Sequence, residues 1–217
     1  MASVGPGDHP VPWAMQLAVL VDRSHPASHV AACEAAARAV VSLLDDPRAT
    51  EGEWRDAVEH WRDGRIRKLV RRARGVRWDE VQHLPGVTVV QGRAAARAFV
   101  PGPVEPLPRP LAKLQVGGTE LPDDEPSTST DALVRIAISP LVEMTTGKSA
   151  AQCGHAAQLA YEAMDAASLE RWRADGFRVR VQHVGPEVWA GDAGRVQVVD
   201  AGFTELEGPT ETTRAWW

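Results

Sequence analysis

Lys148, Gln152 and His155 stand four and three residues apart. On a helix of 3.6 residues per turn those spacings bring all three onto one face. A cation near the positive end of a helix, with an amide one turn on, is suited to stabilising negative charge that develops on a substrate. The opposite stripe is Ala150, Gly154, Ala157, Tyr161 and Met164, small enough at its start to lie closely on a sheet. Downstream, Asp200 ends a strand-like run beside Ala201-Gly202, where backbone can come close to a ligand, and Thr204 adds a hydroxyl four residues on. Each residue also has a plainer use: a solvated lysine, a packed histidine, an Asp that turns the chain before Ala-Gly.

Several chemistries are set aside by spacing. Gly147-Lys148-Ser149 resembles the end of a phosphate-binding loop, but Val142 occupies the position where that loop needs a second glycine. Around His155 and Cys153 there is no His-x3-His or Cys-x2-Cys spacing, so neither a metal nor a cofactor is expected. No Ser-His-Asp order is evident and Cys153 adjoins the packing glycine, which argues against a covalent nucleophile.

The elements that must hold these residues occur twice. Residues 117–131, with Gly-Gly, Pro-Asp-Asp-Glu-Pro and Ser-Thr-Ser-Thr, have no apolar periodicity and read as a linker. On each side an apolar strand run (16–21 and 133–138) leads to an Ala-rich helix, His29 to Leu44 and Gly147 to Ala163, with Ser28 and Thr145 or Thr146 as N-caps. A second helix follows, closed by Gly64 and Gly176, with Trp61 and Trp172 each followed 17 residues later by Trp78 and Trp189. Last come Val87–Gln91 and Val196–Asp200, each with a further strand, near Leu111 to Val116 and Thr212 to Trp217. The expected fold is α/β: two tandem copies of a small three-layer domain, each with a mixed four-stranded sheet flanked by helices. Their bounds are 13–116 and 132–217. The polar set belongs to the second copy alone. Gln91 stands in the place of Asp200 and Ala95 in that of Thr204; Lys148 maps to His29 or Ser28, Gln152 to Cys33 or Ala32, and His155 to Ala36 or Ala35.

The chain has 217 residues, 44% of them hydrophobic, and a net charge of −5. That charge divides unevenly, +3 over residues 1–115 and −8 over 116–217. No run reaches the ~18 apolar residues of a membrane span, and no signal-peptide pattern opens the chain, so a cytoplasmic protein is expected. The two cysteines, Cys33 and Cys153, lie in Ala-rich helical patterns and read as buried thiols of a reducing compartment.

Residues 147–156, Gly-Lys-Ser-Ala-Ala-Gln-Cys-Gly-His-Ala, resemble the signature helix of the type II peptidyl-tRNA hydrolases. Val199 to Thr204, followed by Gly208 and Thr210, resembles that family's Asp-Ala-Gly-x-Thr segment. The resemblance covers about Leu133 to Trp217. It departs at Ser139 to Val142, where the family has a basic residue and an Asp-Leu pair, at Thr146, where it often has a second basic residue, and at Glu205, where it has Gln. It implies hydrolysis of the ester that joins a peptide to the terminal ribose of tRNA, recycling tRNA from stalled translation. In that reaction Lys148 would stabilise the oxyanion and Gln152 would donate a hydrogen bond or position water. Asp200 would orient Lys148 or take a proton from water, Thr204 would hold the ribose or the water, and His155 would shuttle protons or merely pack. The family is typically homodimeric, so the chain resembles a fused pseudo-dimer with a degenerate N-terminal copy. Arg67, Arg71 and Arg74, within the basic run Arg65 to Arg77, are the RNA-binding candidates, unless that run is a solvated face of a strand and loop. The alternative is a non-catalytic relative that binds tRNA or a protein.

Overall fold

The computed structural model describes residues 11–64, 67–123, 125–201 and 208–217. In the first half, strand β1 (Trp13–Leu20) leads to helix α1 (His29–Leu44), short α2 (Pro47–Thr50), α3 (Arg55–Asp63) and β2 (Lys68–Ala73). Helix α4 (Val76–Val81), strands β3 (Gly86–Gln91), β4 (Ala94–Phe99) and β5 (Gly102–Pro103), helix α5 (Arg109–Ala112) and β6 (Gln115–Val116) follow. The second half runs β7 (Val134–Ile138), α6 (Thr146–Ala163), α7 (Ala166–Ala174), β8 (Val179–His183), α8 (Pro186–Gly191), β9 (Val196–Asp200) and β10 (Thr210–Trp216).

The second sheet has the strand order β8-β7-β10-β9, with β7 and β8 parallel and the other pairs antiparallel. The same order recurs in the first sheet as β2-β1-β4-β3, again with one parallel pair. That first sheet has six strands where four were expected, because two-residue β5 and β6 join β1 and β2. Of the strand expected near Leu111 to Val116 only Gln115–Val116 forms one, as β6; Leu111 and Ala112 end helix α5, and the strand that answers to β10 is β4. Its sequence, Ala-Ala-Ala-Arg-Ala-Phe, is buried at all six positions. With both faces covered and α1 pressed on one of them, side-chain volume selects alanine there and the usual β-branched alternation disappears.

The helices begin where their caps dictate. Ser28 Oγ accepts from the N–H of Ala31 at 3.2 Å, and Thr145 Oγ1 accepts from that of Lys148 at 3.1 Å, so Thr145 rather than Thr146 caps α6. The caps correct the register between halves: they set Ala31, Ala35 and Arg38 opposite Lys148, Gln152 and His155. Trp61 and Trp172 are both fully buried, and each indole N–H donates to the carbonyl six residues on, Arg67 at 3.2 Å and Arg178 at 2.8 Å.

One apolar core runs through both halves. Met15, Leu17 and Val19 of β1 and Val134, Ile136 and Ile138 of β7 enter it from the two sheets, with α1 and α6 between them. A smaller cluster, including Ala18, Phe99 and Leu114, lies on the other face of the first sheet under α4 and α5. The small stripe of α6 does not lie on a sheet as its pattern suggested. A Cβ on Gly154 would stand 3.0 Å from Val40 Cγ2, so the stripe meets helix α1. Two helices can approach this closely only where side chains are nearly absent. The helices are also joined at one end, where Tyr161 donates to Asp45 Oδ1 at 3.0 Å and Arg173 bridges the same carboxylate at 2.6 Å.

The described residues of 117–131 form a strap tied to both halves rather than a free tether. Thr119 accepts from the Gly147 N–H at 3.2 Å, and Pro122 from that of His29 at 2.7 Å. The Leu121 N–H donates to Thr146 Oγ1 at 3.0 Å, and Ser127 Oγ donates to Glu34. Glu34 is itself buried on α1 and also accepts from Val181 N–H at 3.0 Å, on the outer edge of β8. Burial raises its pKa, against the pull of those donors.

Two predictions follow from the helix pair. Gly154→Val drives a branched side chain into the equally stiff Val40 and is expected to destabilise the protein by about 1–3 kcal/mol in chemical denaturation. The second concerns Lys68, whose ammonium is enclosed between Gln158 and the Trp61 ring. Burial pushes its pKa down to about 7, Glu162 opposing and Arg62 assisting. Between pH 7 and the ordinary lysine value the unfolded chain binds more protons than the folded one. Stability therefore rises as pH climbs from 7 to 8.5, by on the order of 1 kcal/mol, and Lys68→Met flattens that rise. Urea midpoints at the two pH values measure it.

Candidate active site

The site forms where α6 begins and β9 ends. The Thr145 cap fixes the first turn of α6, and Lys148 projects from that turn. Its Nζ lies 2.6 Å from Asp200 Oδ2, with side-chain exposures of 9% and 15%. One turn on, Gln152 donates through Nε2 to the same Oδ2 at 2.7 Å. Two of the sequence-derived site residues, Lys148 and Gln152, thus converge on one carboxylate oxygen of a third, Asp200. The fourth, Thr204, lies outside the described residues.

Gln152 is held in one orientation. An ionised carboxylate only accepts hydrogen bonds, so the amide NH2 must face Asp200. That leaves Oε1 toward Thr212, whose hydroxyl donates to it at 3.0 Å and lies 3.2 Å from the Val198 carbonyl. The neighbouring Thr213 hydroxyl donates to the Gln152 carbonyl at 3.2 Å and ties α6 to β10. Both threonines are fully buried. Neither emerged from the sequence as a site residue; the available signal was a pair of hydroxyls inside a strand that is otherwise packed, next to a motif helix.

His155 stands apart from this group. Burial and the nearby Lys68 charge push its pKa down to about 3, with Asp200 pulling weakly the other way. An imidazole that titrates there has no cationic proton to deliver near neutrality. Arg71, one of the RNA-binding candidates, is buried rather than exposed. Its Nε donates to Gln16 and its Nη1 to the Leu114 carbonyl, both at 2.9 Å, and burial lowers its pKa. It secures the second layer of the first sheet and cannot reach an external ligand. Arg67 is half-buried at the entry to β2, and Arg74 is exposed just past its end. Cys33 and Cys153 are both fully buried in the helix pair and unbonded covalently; burial and the adjoining Cys153 raise the Cys33 thiol well above its usual range.

A cleft of about 780 Å³ opens beside the first turn of α6, with Ser139, Met144, Thr145, Ser149, His29 and His183 in its wall. Among the described residues no group of three His, Cys, Asp or Glu side chains is arranged to hold a metal ion. No helix among them is long and apolar enough to cross a membrane. The chemistry on offer is polar: a nearly dry ammonium at a helix N-terminus, locked to a carboxylate whose second donor is a fixed amide.

Residues 133–187 match the family model described as peptidyl-tRNA hydrolase PTH2. The matched span includes Lys148 and Gln152 and stops before β9, which carries Asp200. No curated protein and no solved structure gives a significant match.

Thr212→Val keeps the shape of the side chain and removes the hydroxyl. It is expected to leave the fold intact and to free the Gln152 amide to turn, which loosens Asp200 and lowers turnover about tenfold. Turnover, with the unfolding midpoint as control, checks this.

Proposed function

We propose that this chain hydrolyses the ester bond of peptidyl-tRNA, releasing an N-substituted amino acid or peptide and free tRNA. The observation that carries the reading is the Lys148–Asp200 contact of 2.6 Å at the head of α6. It joins a lysine inside the PTH2-matched span to an aspartate beyond it, two residues that the sequence separates by 52 positions.

The mechanism follows from the charges. Attack of water on the ester carbonyl builds negative charge on its oxygen, and Lys148 Nζ with the positive end of α6 is placed to stabilise it. Asp200 accepts the proton of the attacking water and returns it to the ribose oxygen as the ester C–O bond breaks, and its orientation is set by Lys148 and Gln152. Gln152 is held in turn by Thr212. Thr204 is the residue proposed to bind the ribose or the water. No covalent intermediate is needed. Such an enzyme would work in the cytoplasm, where peptidyl-tRNA arises.

The two halves, 13–116 and 132–217, are read as diverged copies joined by the strap 117–131, so that the chain is its own pseudo-dimer. The repeated strand order, the matched N-caps and the paired tryptophans support this. Only the second copy carries the chemistry.

The test uses purified full-length protein and an N-acetylated aminoacyl-tRNA. Lys148→Ala is expected to lower turnover by about a hundredfold, the scale of losing one oxyanion donor. Wild-type turnover in that variant removes Lys148 from the mechanism. Absence of turnover in the wild type, with tRNA binding retained, turns the reading to a non-catalytic tRNA-binding relative.

A further inference from the structure

We propose that a second cleft, at the carboxyl ends of the parallel strands β1 and β2, binds backbone phosphate of the RNA near the scissile ester. The proposal rests on the esterase reading for the identity of the RNA. The cleft has a volume of about 650 Å³ and is lined by Arg23, Arg72, Arg74 and Arg77, drawn from the β1 loop, the end of β2 and α4. Crevices outside the carboxyl ends of parallel strands are where α/β sheets gather ligands, because the loops there converge.

The four guanidinium groups fall into two pairs. Arg72 and Arg77 are anchored: Arg72 Nη1 donates to the Gly118 carbonyl at 2.9 Å and Arg77 Nη1 to that of Lys113 at 3.0 Å. Each retains further N–H groups. Arg23 and Arg74 are exposed, and their side chains have no hydrogen bond or ion pair among the described residues. Two carboxylates share the lining, Asp22 and Glu120. That of Asp22 is turned onto its own loop, accepting from Ser24 N–H at 2.8 Å, which with His25 lowers its pKa. The balance is positive, and planar guanidinium forks match phosphate oxygens.

Position links the cleft to the chemistry. Thr119 is part of its wall, and the Thr119 carbonyl accepts from the N–H of Gly147, the residue before Lys148. A Cβ on Gly147 would meet Thr119 Cβ at 3.3 Å, so the arginine cleft and the first turn of α6 share one wall. The other cleft at that turn holds Glu120, Asp123 and Glu143 beside His29 and His183, with Asp123 3.1 Å from His183 Nε2, a more acidic lining than that of the arginine cleft. Of these two clefts among the described residues, the arginine cleft is the one whose charge suits an RNA backbone.

The experiment measures affinity of full-length protein for deacylated tRNA against salt. The wild type is compared with Arg23→Ala/Arg74→Ala and with Arg55→Ala/Arg93→Ala, which removes equal charge from exposed side chains elsewhere. The cleft variant is expected to bind about tenfold more weakly at moderate salt, with a salt slope reduced by about one to two, and Arg23→Lys/Arg74→Lys to recover most of the loss. Equal loss in the cleft and control variants overturns the proposal and leaves the esterase reading standing. Loss confined to the cleft variant, in a protein without hydrolytic activity, sustains the cleft and sinks the esterase. A wild type that binds no tRNA at any salt overturns both. If a polyglutamate peptide binds the wild type as tightly as tRNA and is lost with the same two arginines, the cleft belongs to an acidic protein partner and the RNA assignment fails.

Discussion

The close crossing of α1 and α6 governs this structure. Gly154 brings the two backbones together over Val40, and the surrounding positions, among them Ala150, Ala157 and Cys153 on α6 and Cys33 and Ala36 on α1, are fully buried. Both sheets close onto that pair, so their inner faces share one core. A helix clamped on one side has little freedom on the other. The opposite face of α6 is therefore a stable mount for Lys148 and Gln152, and β10 completes the mount by bonding the Gln152 backbone and side chain through Thr213 and Thr212. Catalytic arrangements need this kind of support, since small displacements of a reacting group forfeit large factors in rate.

The Lys148–Asp200 pair is poorly explained as a stabilising contact. Each side chain is nearly withdrawn from water, and desolvating two charges offsets most of their attraction. An apolar pair of the same size would hold α6 to β9 as well. What a buried ammonium and carboxylate add is an electric field fixed before substrate arrives, strengthened because little water screens it. Gln152 makes the same point, since its amide is spent on orienting the carboxylate rather than on helix packing.

Sequence periodicity gave the ends of α1 and α6 almost to the residue, because caps and alanine-rich runs are local signals. Lys148, Gln152 and Asp200 were legible through spacing and motif; their meeting at one oxygen is tertiary information. The partner of the small stripe was not legible: a pattern says which face is apolar and not whether a helix or a sheet covers it. Strand β4 escaped because alanine carries no strand preference, and only its enclosure by neighbouring elements makes it one. Arg71 was misjudged because a run of arginines reads as a solvated face. Alternation along β2 turns this one inward, where Gln16 and the Leu114 carbonyl receive it. Thr212 and Thr213 gave only a weak signal, because threonines are common in strands and their inward hydroxyls show only once β10 is packed on α6.

If the halves are copies, Gln91 shows what became of the lost site. It ends β3 as Asp200 ends β9. Its Oε1 accepts from Arg38 at 2.6 Å, and its Nε2 donates to Glu34 at 3.1 Å and to Ser129 at 3.0 Å. Arg38, at the place of His155, also donates to the Gly176 carbonyl in the other half at 3.2 Å. Glu34 receives the edge of β8. The side chains of Gln91, Arg38 and Glu34 are thus engaged in joining α1 to the strap and to the second half. A homodimer cannot make that exchange, since any change in one site appears in both. A fused chain of two copies could give up one site to hold the other in place, and under that duplication the contacts around Gln91 would be the residue of the exchange.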